Sequence, residues 1–119
     1  MSIQNLSEDI VLVILPEEPE LVDELNILAG GIADEYKCDL IIDFSKVEVI
    51  TSTSIGILVT LRDSLSKSGR RLFLTGVSFP TRCIFKILGI EELFEFCEGK
   101  DTALAAIECA RTKTARTEY

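Results

Sequence analysis

Histidine is missing from all 119 residues. Its absence removes Ser-His-Asp triads, Cys-His dyads, imidazole acid/base chemistry and most zinc sites. Cysteine occurs four times, at Cys38, Cys83, Cys97 and Cys109, never with C-x-x-C spacing. Dispersed thiols in a cytosolic chain are reduced and packed as small hydrophobes, and no neighbouring histidine is there to lower a thiolate pKa. Long apolar runs are also lacking, and nothing approaches the ~20 residues of a spanning helix. The opening stretch, MSIQNLSEDIVLVILPEEPE, has no basic n-region and no small-residue cleavage site, so the expected location is the cytoplasm. Positive charge is scarce, with 12 Lys+Arg against 20 Asp+Glu and a net charge of −8. Such a balance repels phosphate backbones and anionic lipid surfaces, which argues against nucleic-acid partners and against direct membrane insertion.

Phosphate-binding and metal motifs are equally wanting. Gly30-Gly31 lies inside a helical pattern and matches neither a P-loop nor G-x-G-x-x-G. Asp39 and Asp43 flank one strand, but the first strand ends without the adjacent acidic pair that a receiver-type magnesium site needs. The carboxylates crowded at 17–24 read as a solvated face complementing a helix dipole. No cofactor, metal or catalytic residue is expected, and the chain does not read as an enzyme.

What is present is apolar and orderly. At 47% hydrophobic and 27% charged, 119 residues make one globular domain with a real core. Residues 10–15, 39–44 and 71–75 form continuous apolar runs typical of buried strands, with an edge strand near Ile3 to Leu6 and a last short one at Leu93 to Phe96. Between them lie helical spacings. Leu21, Leu25, Leu28 and Ile32 mark one helix, bent or loosened at Gly30-Gly31. Ile55, Leu58, Val59, Arg62 and Leu65 mark a second, ending at Gly69. A third starts at Ser78-Phe-Pro80, turns Ile84, Ile87 and Leu88 inward and stops at Gly89. Asp101 caps a fourth through Leu104 and Ile107, and the tail 111–119 is polar and frayed. Alternating strands and helices predict an α/β domain over 1–110, with a mixed, mostly parallel sheet of four to five strands and about four helices.

One cluster exceeds structural need. Thr51, Ser52, Thr53 and Ser54 precede the second helix, where one hydroxyl suffices as an N-cap. Exposed hydroxyls at a helix N-terminus also tolerate a phosphate, because free N–H groups and the dipole favour negative charge.

The stretch LIIDFSKVEVITSTSIGILVTLRDSLSKSGRRLFLTGVSFPTRCIFKILGIEELFEF resembles the STAS domain of bacterial anti-sigma factor antagonists. Asp43-Phe44-Ser45 takes the place of D-hydrophobic-S, and 51–56 that of D-S-S-G-L-G. Gly69, Leu72, Leu74 and Gly76 follow the G-x-x-L-x-L-x-G pattern, then Ile87-Leu88-Gly89-Ile90 and Leu93-Phe94 the closing one. The resemblance implies a non-enzymatic switch that binds a kinase-type anti-sigma factor, or a related serine/threonine switch kinase, and is released on phosphorylation. Thr53 then takes the acceptor position, Ser52 the neighbouring hydroxyl, and Gly56 keeps the second glycine. Thr51 replaces the family's aspartate and Ser54 its first glycine, while PEEPELVDEL lacks the usual G-x-L-D turn. The partner face expected from this comprises Thr51, Ser52, Thr53, Ser54, Ile55, Gly56 and Arg62. The alternative is a non-phosphorylated STAS binding module or scaffold, for example a soluble subunit of a transport system.

Overall fold

The computed structural model describes residues 2–7, 9–32 and 38–107. Five strands form a single sheet in the order β1-β2-β3-β4-β5. The edge strand β1 (Ser2–Ser7) runs antiparallel to β2 (Ile10–Ile14). From there β2, β3 (Asp39–Asp43), β4 (Leu72–Thr75) and β5 (Glu95–Cys97) are all parallel, each paired with the next. The mixed, mostly parallel sheet is the one the alternating pattern predicts.

Helix α1 (Glu20–Ile27) joins β2 to β3, α2 (Ser52–Lys67) joins β3 to β4, and α3 (Phe79–Ile87) joins β4 to β5. All three helices pack into one core cluster on the same face of the sheet, as crossovers of a single hand require. Alternation along each strand sorts the core accordingly. Val13, Leu40, Ile42 and Leu74 point to the three-helix face, against Leu21, Leu25, Leu58, Leu61, Leu65 and Phe85. Ile10, Leu12, Ile41 and Phe73 point the other way, where a fourth helix, α4 over 100–107, brings Ala103 and Ile107.

Helix ends follow local chemistry, with some shifts from expectation. The hydroxyl of Ser78 caps α3 by accepting from Thr81 N–H, with Pro80 in the first turn. Gly69 and Gly89 end their helices at φ 73° and 72°. At Gly30-Gly31 the backbone widens into a π-helical turn, Leu28–Ile32, rather than bending. Asp101 is not the cap of α4, because the carbonyl of Gly99 already accepts from Ala103 N–H, one turn into a helix that begins at residue 100. The stretch expected as a strand from Leu93 begins as a 3-10 turn, Glu91–Leu93. Ile87 and Leu88 do not face inward: they are 82% and 54% exposed. The inward side of α3 is Thr81 and Phe85, with Ile84 packed half-buried against the core as expected, and Phe85 packs on Phe94 and Phe96 with ring centroids at 5.4 and 5.9 Å. Cys109, the end of the domain at 110 and the tail 111–119 lie outside the described residues.

Candidate functional site

Asp43, at the end of β3, opens the approach to the site. Its Oδ1 accepts from Ser45 N–H at 2.7 Å, closing a tight Asx turn. Gly76, at the end of neighbouring β4 with φ 65°, packs so closely that a Cβ there would meet Ser45 N at 3.1 Å. The chain then buries Val47 and Ile50 and leaves Val49 between them 69% exposed. These two buried anchors deliver Thr51 to the start of α2.

Thr51 is the N-cap, with extended backbone, and its Oγ1 accepts from Ser54 N–H at 3.2 Å. It performs the capping work that an aspartate would do at the same position. The helix therefore begins at Ser52, earlier than expected, and Ser52, Thr53 and Ser54 form its first turn. Their exposures diverge sharply. Ser52 and Thr53 are exposed, whereas Ser54 is fully buried.

Glu18 explains the difference. Reaching from the loop between β2 and α1, its Oε2 accepts from Thr51 N–H at 3.0 Å and from the Ser54 hydroxyl at 2.9 Å. Thr51 Oγ1 lies 3.2 Å from Ser54 Oγ and closes the circuit. In a capping box, a Glu at the third helical position returns to the N-cap N–H. Here that position is Ser54, and the carboxylate comes from a residue 33 positions before the cap. Burial by itself raises the Glu18 pKa, but the hydrogen bonds from Thr51 and Ser54 outweigh it and hold the group below its ordinary value of 4.5. The Val22 amide favours the charge as well. The extra side chain at 54 thus turns inward and does not protrude from the face.

Gly56, one turn further along, is exposed and opens on empty space. Ile55 is buried beneath the turn. Arg62 lies nine residues beyond Thr53, about 13 Å along the helix axis. Its Nε donates to the Leu93 carbonyl at 2.9 Å and its Nη1 pairs with Asp63 at 3.1 Å, so it ties α2 to the 3-10 turn. Of the expected partner face, Thr51, Ser52, Thr53 and Gly56 are exposed on this turn, whereas Ser54 and Ile55 are buried beneath it and Arg62 stands apart.

Two side chains of this region carry no motif and escape a sequence reading. Val49 precedes the turn, and Phe79 opens α3 at the same carboxyl edge of the sheet, 80% exposed. Exposure of an aromatic at a helix start has no periodicity to announce it. Beside the site, a cavity of about 480 Å³ is lined by Pro16, Glu17, Glu20, Ser45, Lys46 and Glu48. Burial pushes the Cys38 and Cys97 thiols up, away from nucleophilic character. Among the described residues no cluster of His, Cys, Asp or Glu could hold a metal ion, and no helix is long and apolar enough to cross a membrane.

A five-stranded mixed sheet, with hydroxyls exposed on the first turn of α2, defines a small α/β domain. The profile of the STAS domain matches residues 5–103, and the chain belongs to that family. No curated protein matches the sequence. Among solved structures, a STAS-domain anti-sigma factor antagonist from Planctomyces limnophilus superposes with a TM-score of 0.76 at 17% identity, covering 90% of this chain and 97% of that one. The Bacillus cell fate determinant SpoIIAA, in its phosphorylated form, gives 0.69 at 14% identity, with 89% and 97% covered. A sulfate transporter family protein from Wolinella succinogenes gives 0.68 at 25% identity, with 85% and 84% covered.

Proposed function

We propose that this protein is a non-enzymatic interaction switch of the anti-sigma factor antagonist type, acting in the cytoplasm. Its 51–56 surface binds a kinase-type anti-sigma factor or related serine/threonine switch kinase, and phosphorylation there releases the partner. The observation that carries this reading is the split among four hydroxyls. Thr51 and Ser54 are committed to the cap and to Glu18, while Ser52 and Thr53 face solvent. Thr53 occupies the family's acceptor position and Ser52 is the second candidate. A phosphate adds roughly −1.5 to −2 charge with three acceptor oxygens. On the first turn of α2 that charge meets the positive dipole end, so the domain itself tolerates it. A partner packed over the turn would have to desolvate the same charge, and would let go.

Incubation with a candidate switch kinase and ATP, followed by site mapping, tests the assignment. We expect label on Thr53, loss of label in Thr53→Ala, and partner affinity lowered at least tenfold in Thr53→Glu with the fold intact. Label elsewhere, or unchanged affinity of Thr53→Glu, overturns it.

A second reading has its own support in the likeness to the Wolinella transporter-family protein. In that reading Thr51 and Ser54 mark a module that keeps the fold and no longer serves a kinase. A companion switch kinase that fails to phosphorylate the protein would favour it.

A further inference from the structure

We propose that Glu18 is the positioning residue of the switch, and that a phosphoryl group on Thr53 opens the Glu18 clasp and frees the loop between β2 and α1. The proposal rests on the phosphorylation reading above and extends it to what the modification does inside the molecule.

Three observations converge. The clasp joins two separate elements through one oxygen: Oε2 of Glu18 takes both the Thr51 N–H and the Ser54 hydroxyl, at 3.0 and 2.9 Å. The other oxygen, Oε1, is buried with no hydrogen-bond partner among the described residues. The clasp therefore hangs on a single oxygen, and the second oxygen adds no hydrogen bond to hold the carboxylate in place. Finally, Thr53 sits in sequence between the two clasped residues, 51 and 54, so a phosphate on it stands on the same helical turn as the carboxylate. A phosphate on the turn that the carboxylate clasps adds a second anion to it, and the two repel each other, most strongly at low ionic strength. Glu17, Glu20 and Glu48 around the adjoining cavity, against Lys46, leave little positive charge nearby to absorb the addition.

Opening requires no rupture of the core. Thr51 keeps its own cap on Ser54 N–H, and Leu21 and Leu25 of α1 stay packed. What is released is the 16–19 loop that borders the partner face. Loss of the partner then has two sources: the phosphate itself, and a rearranged loop beside it.

The experiment installs phosphothreonine at position 53 during synthesis, so that no kinase is needed, and follows the Thr51 amide by hydrogen exchange. Thr51 N–H is the donor to Glu18, and its exchange is expected to accelerate at least tenfold in the phosphorylated chain. In a Glu18→Gln background the acceptor geometry is kept and the charge removed, so phosphothreonine should change Thr51 exchange less than twofold. Ser54→Gly removes one of the two donors and should enlarge the response of the otherwise native chain. Unchanged Thr51 exchange on phosphorylation overturns the proposal, as does equal acceleration in the Glu18→Gln background. Failure of any kinase to modify Thr53 would sink the switch reading alone, because this measurement does not depend on one.

Discussion

Gly76 joins two strand ends with almost no space between them. At φ 65° its missing Cβ would fall 3.1 Å from Ser45 N, 3.2 Å from Ser45 Cβ and 3.3 Å from Asp43 Oδ1. Gly69 has nearly the same φ, 73°, but faces open space. The pair separates backbone strain from crowding. Gly69→Ala should cost about 1 kcal/mol for the left-handed conformation. Gly76→Ala should lose at least about 1 kcal/mol more, because overpacking is added. Urea denaturation of both variants at constant m-value measures the difference, and equal losses would contradict the account. Glu18 permits a second test at this scale. Its folded pKa lies below the unfolded value, so its contribution to stability is fully present above the unfolded value and is lost as the pH falls through the lowered one. The stability advantage of wild type over Glu18→Gln should therefore shrink from pH 7 to pH 3, read by thermal unfolding. A gap that stays constant or widens would show that the carboxylate charge does not hold the clasp.

At the scale of elements, α2 was legible in the sequence and α3 only in part. Thr51-Ser-Thr-Ser followed by apolar residues at helical spacing announced both the cap and the inward row of α2, because capping and periodicity are local properties. Arg62 also falls in that row, and its half-buried stem with a guanidinium on the Leu93 carbonyl is how an arginine occupies such a position. In α3, periodicity assigns Ile87 and Leu88 to the core by default. Only nine residues long, the helix buries Thr81 and Phe85 and leaves Ile87 and the C-cap Leu88 exposed. The Glu18 clasp was illegible for a different reason: 33 residues separate donor and acceptor, and an acidic run before a helix reads as dipole complement. Gly56 gives α2 its own prediction. A methyl group there meets nothing within 4 Å, so Gly56→Ala should stabilise the helix by about 1 kcal/mol. If a partner lies flat on this turn, the same methyl should weaken binding several-fold. A variant that is more stable and binds equally well would remove Gly56 from the interface.

Across the whole molecule, exposed hydroxyls and apolar side chains are distributed unequally between the two edges of the sheet. Parallel strands bring the loops after β2, β3 and β4 to one carboxyl edge, and there Glu18, Val49, the 51–56 turn and Phe79 meet solvent or each other. The amino edge carries the far end of α3, with Ile87 82% exposed. Val49, Phe79 and Ile87 are thus comparable exposed hydrophobics placed at opposite ends of one domain. Truncation of any of them should change stability by less than about 0.5 kcal/mol, since none is packed in the core. Binding should discriminate. With 20 acidic against 12 basic side chains, long-range charge steers only a basic partner surface, and apolar anchors must supply much of the contact energy. Val49→Ala and Phe79→Ala should each weaken binding of the proposed switch-kinase partner by more than about 1 kcal/mol, whereas Ile87→Ala leaves it unchanged. Titration calorimetry with the three variants, each first checked for an unaltered unfolding midpoint, decides the matter. A loss of affinity in Ile87→Ala with none in the other two would move the interface to the opposite edge, away from the hydroxyls of Ser52 and Thr53.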